Sequence, residues 1–184
     1  MRLLLLIATL SVLGCSSTTV TASPWGTVGG IPFAPVDGFF LASQATNGDY
    51  NFIVFAVDQF GYCGALAQNS NSYLANMNVA TFTYSNPVGT GQLDPVLGPY
   101  PVTAAPGPAS SAQVAFQSFN NCVVSPQTPG TSGMISLTGI SIDGNQISGS
   151  VNVGFTSGSL AGTYTAPYCD LSGAVSGPNT CFQN

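Results

Sequence analysis

The chain has 184 residues, 45 % of them apolar, with one basic residue, six acidic residues and no histidine, for a formal charge of −5. That length suits a single domain with a sizeable core. The lone cation is Arg2 and all six acids are aspartates, which excludes phosphate-neutralising nucleic-acid binding, polybasic membrane attachment, Ser/His/Asp or Cys/His catalysis, histidine-containing zinc sites and the lysine-dependent phosphate loop.

In chain order, Met1-Arg2 is a minimal positive start and Leu3 to Leu13 is an apolar run. The run has the length of a signal-peptide hydrophobic region and is too short to span a bilayer, which takes about 20 residues. It ends Val12-Leu13-Gly14-Cys15, which resembles the bacterial lipoprotein signal: an aliphatic residue, a small residue, then cysteine. The resemblance implies cleavage before Cys15 and lipidation of that cysteine, making the membrane a partner through the anchor. A multiply acylated cysteine holds to lipid without help from the protein surface. Ser16 in the second mature position implies, by the sorting rule of such lipoproteins, the outer membrane of the cell envelope. Residues 1–14 then form the signal peptide, 15–24 the lipidated cysteine with a polar tether, and 25–184 the folded domain.

Gly26 to Asp37 is loop-like, with Gly29-Gly30 and two prolines. Phe39 to Ala42 is a short strand candidate, and Asn47-Gly48-Asp49 is a hairpin-turn signal before Tyr50 to Val57. The near-continuous apolar run YNFIVFAV predicts a central strand covered on both faces. Phe60 to Ala67 is expected to continue the sheet, with Gly61 as a kink, and Asn69 to Asn78 to be irregular with one helical turn around Tyr73-Leu74. In Val79 to Tyr84, Ala80, Phe82 and Tyr84 share one parity against Thr81 and Thr83. Asn86 to Ser111 carries six prolines and reads as mostly loop, with Tyr100 to Thr103 as a short edge strand. Ala112 to Phe119 alternates again, with Val114 and Phe116 on one parity, and Cys122 to Ser132 reads as a connection.

From Met134 to Cys169 the alternation is sustained. Ile147, Val151, Val153 and Phe155 share one parity with Ser148, Ser150 and Asn152 opposite; Leu160, Tyr164, Ala166 and Tyr168 repeat it against Ala161, Thr163 and Thr165. A period of two marks strands with one wet face. Asp143-Gly144 and Ser157-Gly158 supply the turns, so three antiparallel strands in a meander are expected. With no sustained helical periodicity, the whole predicts an all-β fold: a single antiparallel β-sandwich or flattened barrel with a C-terminal three-stranded meander. Without lysine, edge protection falls to proline, glycine bulges and loops. The segment ISGSVNVGFTSGSLAGTYTAPYC resembles the C-terminal strands of small β-sandwich lipoproteins of myxobacterial type. That resemblance implies a lipoprotein sandwich and brings no catalytic residues with it.

If Cys15 is acylated, Cys63, Cys122, Cys169 and Cys181 remain, an even set consistent with two disulfides in an exported protein. Three connectivities are open, and the reading favours Cys63–Cys122 with Cys169–Cys181, the latter clipping a Gly- and Pro-containing tail. A four-thiolate metal site is disfavoured because there is no C-x-x-C pair.

Asp49 and Asp58, flanking the apolar strand, are the nearest approach to a glycosidase carboxylate pair, although Asp beside Gly more often forms turns. Calcium ligation by Asp143 with Asn145, or Asp49 with Asn47, is chemically allowed. Neither outweighs the turn role, so no catalytic residue, metal or cofactor is expected. Trp25, Tyr62, Tyr73, Tyr84 and Tyr100 lie in or near loops and are either a sugar-binding platform or core. The functional expectation is a lipid-anchored, non-enzymatic structural or interaction module of the envelope; the alternative is a carbohydrate-binding module, with a glycan or protein partner.

Overall fold

The computed structural model describes residues 25–44, 50–85, 96–104, 110–141 and 145–182. Cys15, the lipobox, Asn47-Gly48-Asp49, Asp94 and the Asp143-Gly144 turn lie outside these residues. β1 (Gly26–Val28) and β2 (Ile31–Phe33) form a hairpin. β3 (Asp37–Gln44) pairs antiparallel with β4 (Tyr50–Val57), and α1 (Tyr62–Gln68) and β5 (Ser72–Leu74) lead into β6 (Asn78–Ser85). Next come β7 (Gly98–Pro101), β8 (Ser111–Asn120) and β9 (Val123–Val124). β10 (Thr128–Ser141), β11 (Gln146–Phe155) and β12 (Gly158–Pro167) follow, and β13 (Thr180–Phe182) closes the chain.

The all-β expectation holds: one large antiparallel sheet curls into a half-barrel. Its strand order is β2-β1-β12-β11-β10-β8-β6-β4-β3, with β7 added on β10 and β9 on β8. The meander is present in the expected segments, with Leu137 opposite Gly149 and Gly149 opposite Tyr164. Its inward parity (Ile147, Val151, Val153, Leu160, Tyr164, Ala166) is buried, which is the energetic reason the register cannot slip by one.

β10 turns the corner between the two layers. Thr128 and Pro129 pair with Phe116 and Ala115 of β8, and from Gly130 onward the strand pairs with β11 and β7 instead. A Cβ on Gly130 would lie 2.9 Å from Val153 Cγ1 and 3.0 Å from Val114 Cβ. Only a residue without a side chain lets the strand fold over both. A register shift beside it marks a bulge, the usual device for bending a sheet. Between the layers lies the main core, which includes Trp25, Phe33, Val54, Phe82, Phe116, Ile135 and Leu160.

A second core sits on the outer face of the layer β3-β4-β6. There α1 and β5 cover Phe39, Val57 and Val79 with Tyr62, Leu66 and Leu74. Phe39 stacks on Phe55 at 4.8 Å, and Tyr62 meets both rings edge-on. β4 is therefore covered on both faces along this half, as its apolar run predicts. The edges are guarded as expected without lysine: Pro32 in β2, Pro99 and Pro101 in β7.

Several expectations are corrected. Gly26 to Phe33 is a hairpin, because Gly29 and Gly30 (φ 61° and 82°) meet the positive-φ requirement of a two-residue turn. Phe60 to Ala67 does not extend the sheet. Gly61 (φ 88°) is the left-handed entry to α1, and Tyr62, Ala65 and Leu66 bury one helical face over a span too short to show a period. Tyr73-Leu74 is no helical turn but part of β5, paired parallel with β13 more than a hundred residues away, a partner invisible to local reading. Tyr100 belongs to β7, which starts at Gly98, and the span from Cys122 to Ser132 contains β9 and the start of β10.

The favoured disulfide pairing is also wrong. The bonds are Cys63–Cys169 and Cys122–Cys181, with Cα–Cα distances of 5.8 and 5.7 Å. Just beyond β12 the chain forms a parallel bridge, Tyr168 to Phe40, and Cys169 N–H donates to Phe40 O at 2.9 Å. That seam delivers Cys169 to Cys63 on α1. The β5–β13 ladder likewise carries Cys181 to the β8–β9 turn, where Asn121 and Cys122 both hold positive φ.

Candidate functional site

The aspartates within the described residues are structural. Asp58 accepts the backbone N–H and the Nδ2 of Asn78, each at 2.7 Å, clasping the two ends of the connection that carries α1 and β5 between β4 and β6. Asp37 accepts Gly38 N–H at 2.8 Å and Gly61 N–H at 3.1 Å, fixing the approach to α1. Asp170 accepts Ser172 N–H at 2.8 Å, and that bond holds its carboxyl below the usual range. Asn145 (φ 44°) offers its carbonyl to Tyr168 N–H at 2.7 Å. Asp49, Asn47 and Asp143 fall outside the described residues, and among those described no three metal-ligating side chains gather.

The loop aromatics resolve to core. Trp25 (2 % exposed), Tyr62, Tyr84 and Tyr100 (1 %) are buried, and Tyr73 is half-buried against the Phe119 ring at 5.2 Å. The platform reading therefore fails for Trp25 and Tyr100: neither ring reaches solvent. Tyr84 and Tyr164 join hydroxyl to hydroxyl inside the barrel, while Tyr100 packs edge-on against Tyr84 at 5.0 Å and donates to Val96 O at 2.7 Å. Burial raises the phenol pKa values of Tyr84 and Tyr164, chiefly by desolvation, and pushes Tyr62 up to about 12.

What the fold leaves on the outside is a row across four strands. Leu41 of β3 faces Ile53 of β4, Ile53 faces Thr83 of β6, and Thr83 faces Gln113 of β8. The row lies beside the patch that α1 covers and has an apolar end and a polar end. At the polar end a groove of about 290 Å³ is lined by Thr81, Thr83, Thr103, Gln113 and Gln127 over a floor of Val114 and Ala115. At the apolar end a groove of about 370 Å³ lies between Leu41, Ile53 and the segment Tyr168 to Ser172. Tyr168 is 41 % exposed, its ring resting against Phe40 at 5.4 Å. Alternation had already placed Thr81 and Thr83 on the wet face, whereas Leu41 and Ile53 looked like core; Tyr168 keeps the inward parity of Tyr164 and Ala166, bridging Phe40 with its ring partly exposed.

The fold and its surface define an all-β, disulfide-stapled half-barrel, and the two grooves beside its outer row carry hydroxyl, amide and apolar groups with Asp170 as their single carboxylate. Comparison with family models, with curated proteins and with solved structures finds no match to this chain.

Proposed function

We propose that the protein is a lipid-anchored, non-enzymatic module of the bacterial cell envelope, held at the outer membrane through Cys15 and acting by structure or interaction. The observation that carries this reading is cysteine use. Of five cysteines, four pair in two disulfides, and the odd one is Cys15, behind the apolar run in the lipobox. Disulfides persist in exported proteins, and an unpaired thiol needs a different fate. Trp25, already buried in the core, leaves residues 15–24 as a polar spacer between lipid and domain.

The test is intact mass and fractionation of the protein expressed in a Gram-negative host. The expected product begins at Cys15, carries diacylglycerol and an N-acyl chain, and sediments with the outer membrane. Cys15→Ser abolishes the lipid mass and the membrane association. An exported product with an unmodified Cys15 sinks the reading.

A further inference from the structure

We infer that the outer face of the layer β1-β12-β11-β10-β7 is the side of the domain that rests on the lipid bilayer, with Met134, Leu97 and Val96 as its apolar footing. The inference rests on the lipid-anchor reading proposed above and adds which face turns to the membrane. Residues opposite one another in neighbouring strands share a face, so the register builds this surface directly. Pro101 faces Met134, Met134 faces Asn152, and Asn152 faces Ala161. The next row is Pro99, Ser136, Ser150 and Thr163. The residues between the rows, Tyr100, Ile135 and Val151, are buried, so the rows themselves point away from the core. Met134 is 41 % exposed, and Val96 and Leu97, which lead into β7, are 42 and 55 % exposed. The opposite layer differs: its outer face is partly covered by α1, β5 and the C-terminal tail.

Charge divides the molecule the same way. β1, β2, β7, β10, β11 and β12 hold no charged residue. The described acids lie in or beside the other layer: Asp37 in β3, Asp58 just after β4, and Asp170 in the groove with Leu41 and Ile53. Anionic lipid repels that side, and a carboxylate is costly to desolvate at the headgroup boundary. The uncharged face meets neither obstacle. Its serine and threonine hydroxyls and the Asn152 amide can donate to lipid phosphate and carbonyl oxygens, while Met134 and Leu97 enter the boundary between headgroups and acyl chains.

The point where the anchor joins the domain selects the same face. Trp25 O accepts Ala161 N–H at 2.8 Å, so the anchor segment joins the end of the row that runs to Met134 and Pro101. The ten residues 15–24 span about 17 Å as coil and about 35 Å when extended. From β1 to β7 the row crosses four strand spacings, about 19 Å, which lies within that reach. α1 and the C-terminal tail lie two layers away, about 20 Å. Anchoring raises the effective concentration of the face at the bilayer, so a footing too weak to bind alone suffices to orient the domain.

The test places the processed chain in nanodiscs of phosphatidylethanolamine and phosphatidylglycerol that carry a headgroup spin label, and follows its amide resonances. Intact mass first reads the lipid on Cys15. If the lipid is absent, the anchor reading falls, and the same thiol is coupled to a maleimide-bearing phosphatidylethanolamine so that the face is tested all the same. The expected result is loss of the Met134, Ser136, Ser150, Asn152 and Thr163 signals to the label, with those of Leu41, Ile53, Thr83 and Gln113 retained. Met134→Asp and, separately, Leu97→Asp reduce that contrast, and the double variant abolishes it while the fold and the attachment persist. Thr83→Asp, on the opposite face, leaves it intact. Equal signal loss on both faces, greater loss at Leu41 to Gln113, no loss on either, or a contrast that survives the double variant overturns the inference.

Discussion

Removing Cys63–Cys169 is the most informative perturbation of this fold. The bond joins residues 106 apart in sequence and ties α1 to the seam where β3 meets the end of β12. Loop-closure entropy at that separation gives about 4.8 kcal/mol of stabilisation through the unfolded state, against about 4.2 kcal/mol for the 59-residue separation of Cys122–Cys181. The two loops interlock in sequence, so the contributions are not additive: once one crosslink constrains the unfolded chain, the second removes less entropy. For a chain of this size, about 1 kcal/mol moves the melting temperature by about 2–4 °C. The double variant Cys63→Ala/Cys169→Ala is therefore expected to melt about 10–20 °C below wild type by scanning calorimetry under non-reducing conditions. Cys122→Ala/Cys181→Ala should fall by slightly less. Peptic digestion of the unreduced wild type should release Cys63 peptides linked only to Cys169 peptides. A melting shift below about 3 °C for the first variant, or a Cys63–Cys122 linkage, refutes the reasoning.

The Tyr84–Tyr164 hydroxyl pair should behave as a unit. Either single change to Phe strands one buried hydroxyl and costs about 1–3 kcal/mol, while the double change restores much of that, a coupling that denaturant titration measures directly. Alkali should unfold the protein. Tyr62 has its phenol raised to about 12 by burial, so its contribution is intact below pH 10, where folded and unfolded chains are both protonated. Between pH 10 and 12 the unfolded state ionises first, and about 2–3 kcal/mol is lost, with Tyr84 and Tyr164 acting in the same direction; urea midpoints against pH follow this. Trypsin should leave the reduced, denatured chain uncut beyond Arg2, as mass spectrometry will show. Asp58→Ala should cost about 1–3 kcal/mol by thermal melting, because two donors from Asn78 lose their acceptor.

Period-two patterning was enough to reveal the body of the fold. The alternation of Ala80, Phe82 and Tyr84 with Thr81 and Thr83, and that of β11 and β12, assigns buried and wet faces without knowing any partner strand. The lipobox resemblance set Cys15 apart, leaving an even four that the structure pairs in two disulfides. The outer row was half legible: Thr81 and Thr83 stood on the wet face from the pattern, but nothing local distinguished Leu41 and Ile53 from core residues.

Sequence alone thus determined the strand class, the meander, the absence of cationic chemistry and which cysteines were available, because each depends on composition or on neighbours two residues apart. Only the tertiary structure decided which cysteines meet, that the loop aromatics are interior, and that a mixed polar–apolar row faces outward. Those outcomes depend on pairings between residues tens to more than a hundred positions apart: β5 with β13, Phe40 with Tyr168, and β10 bending over Val114 at Gly130.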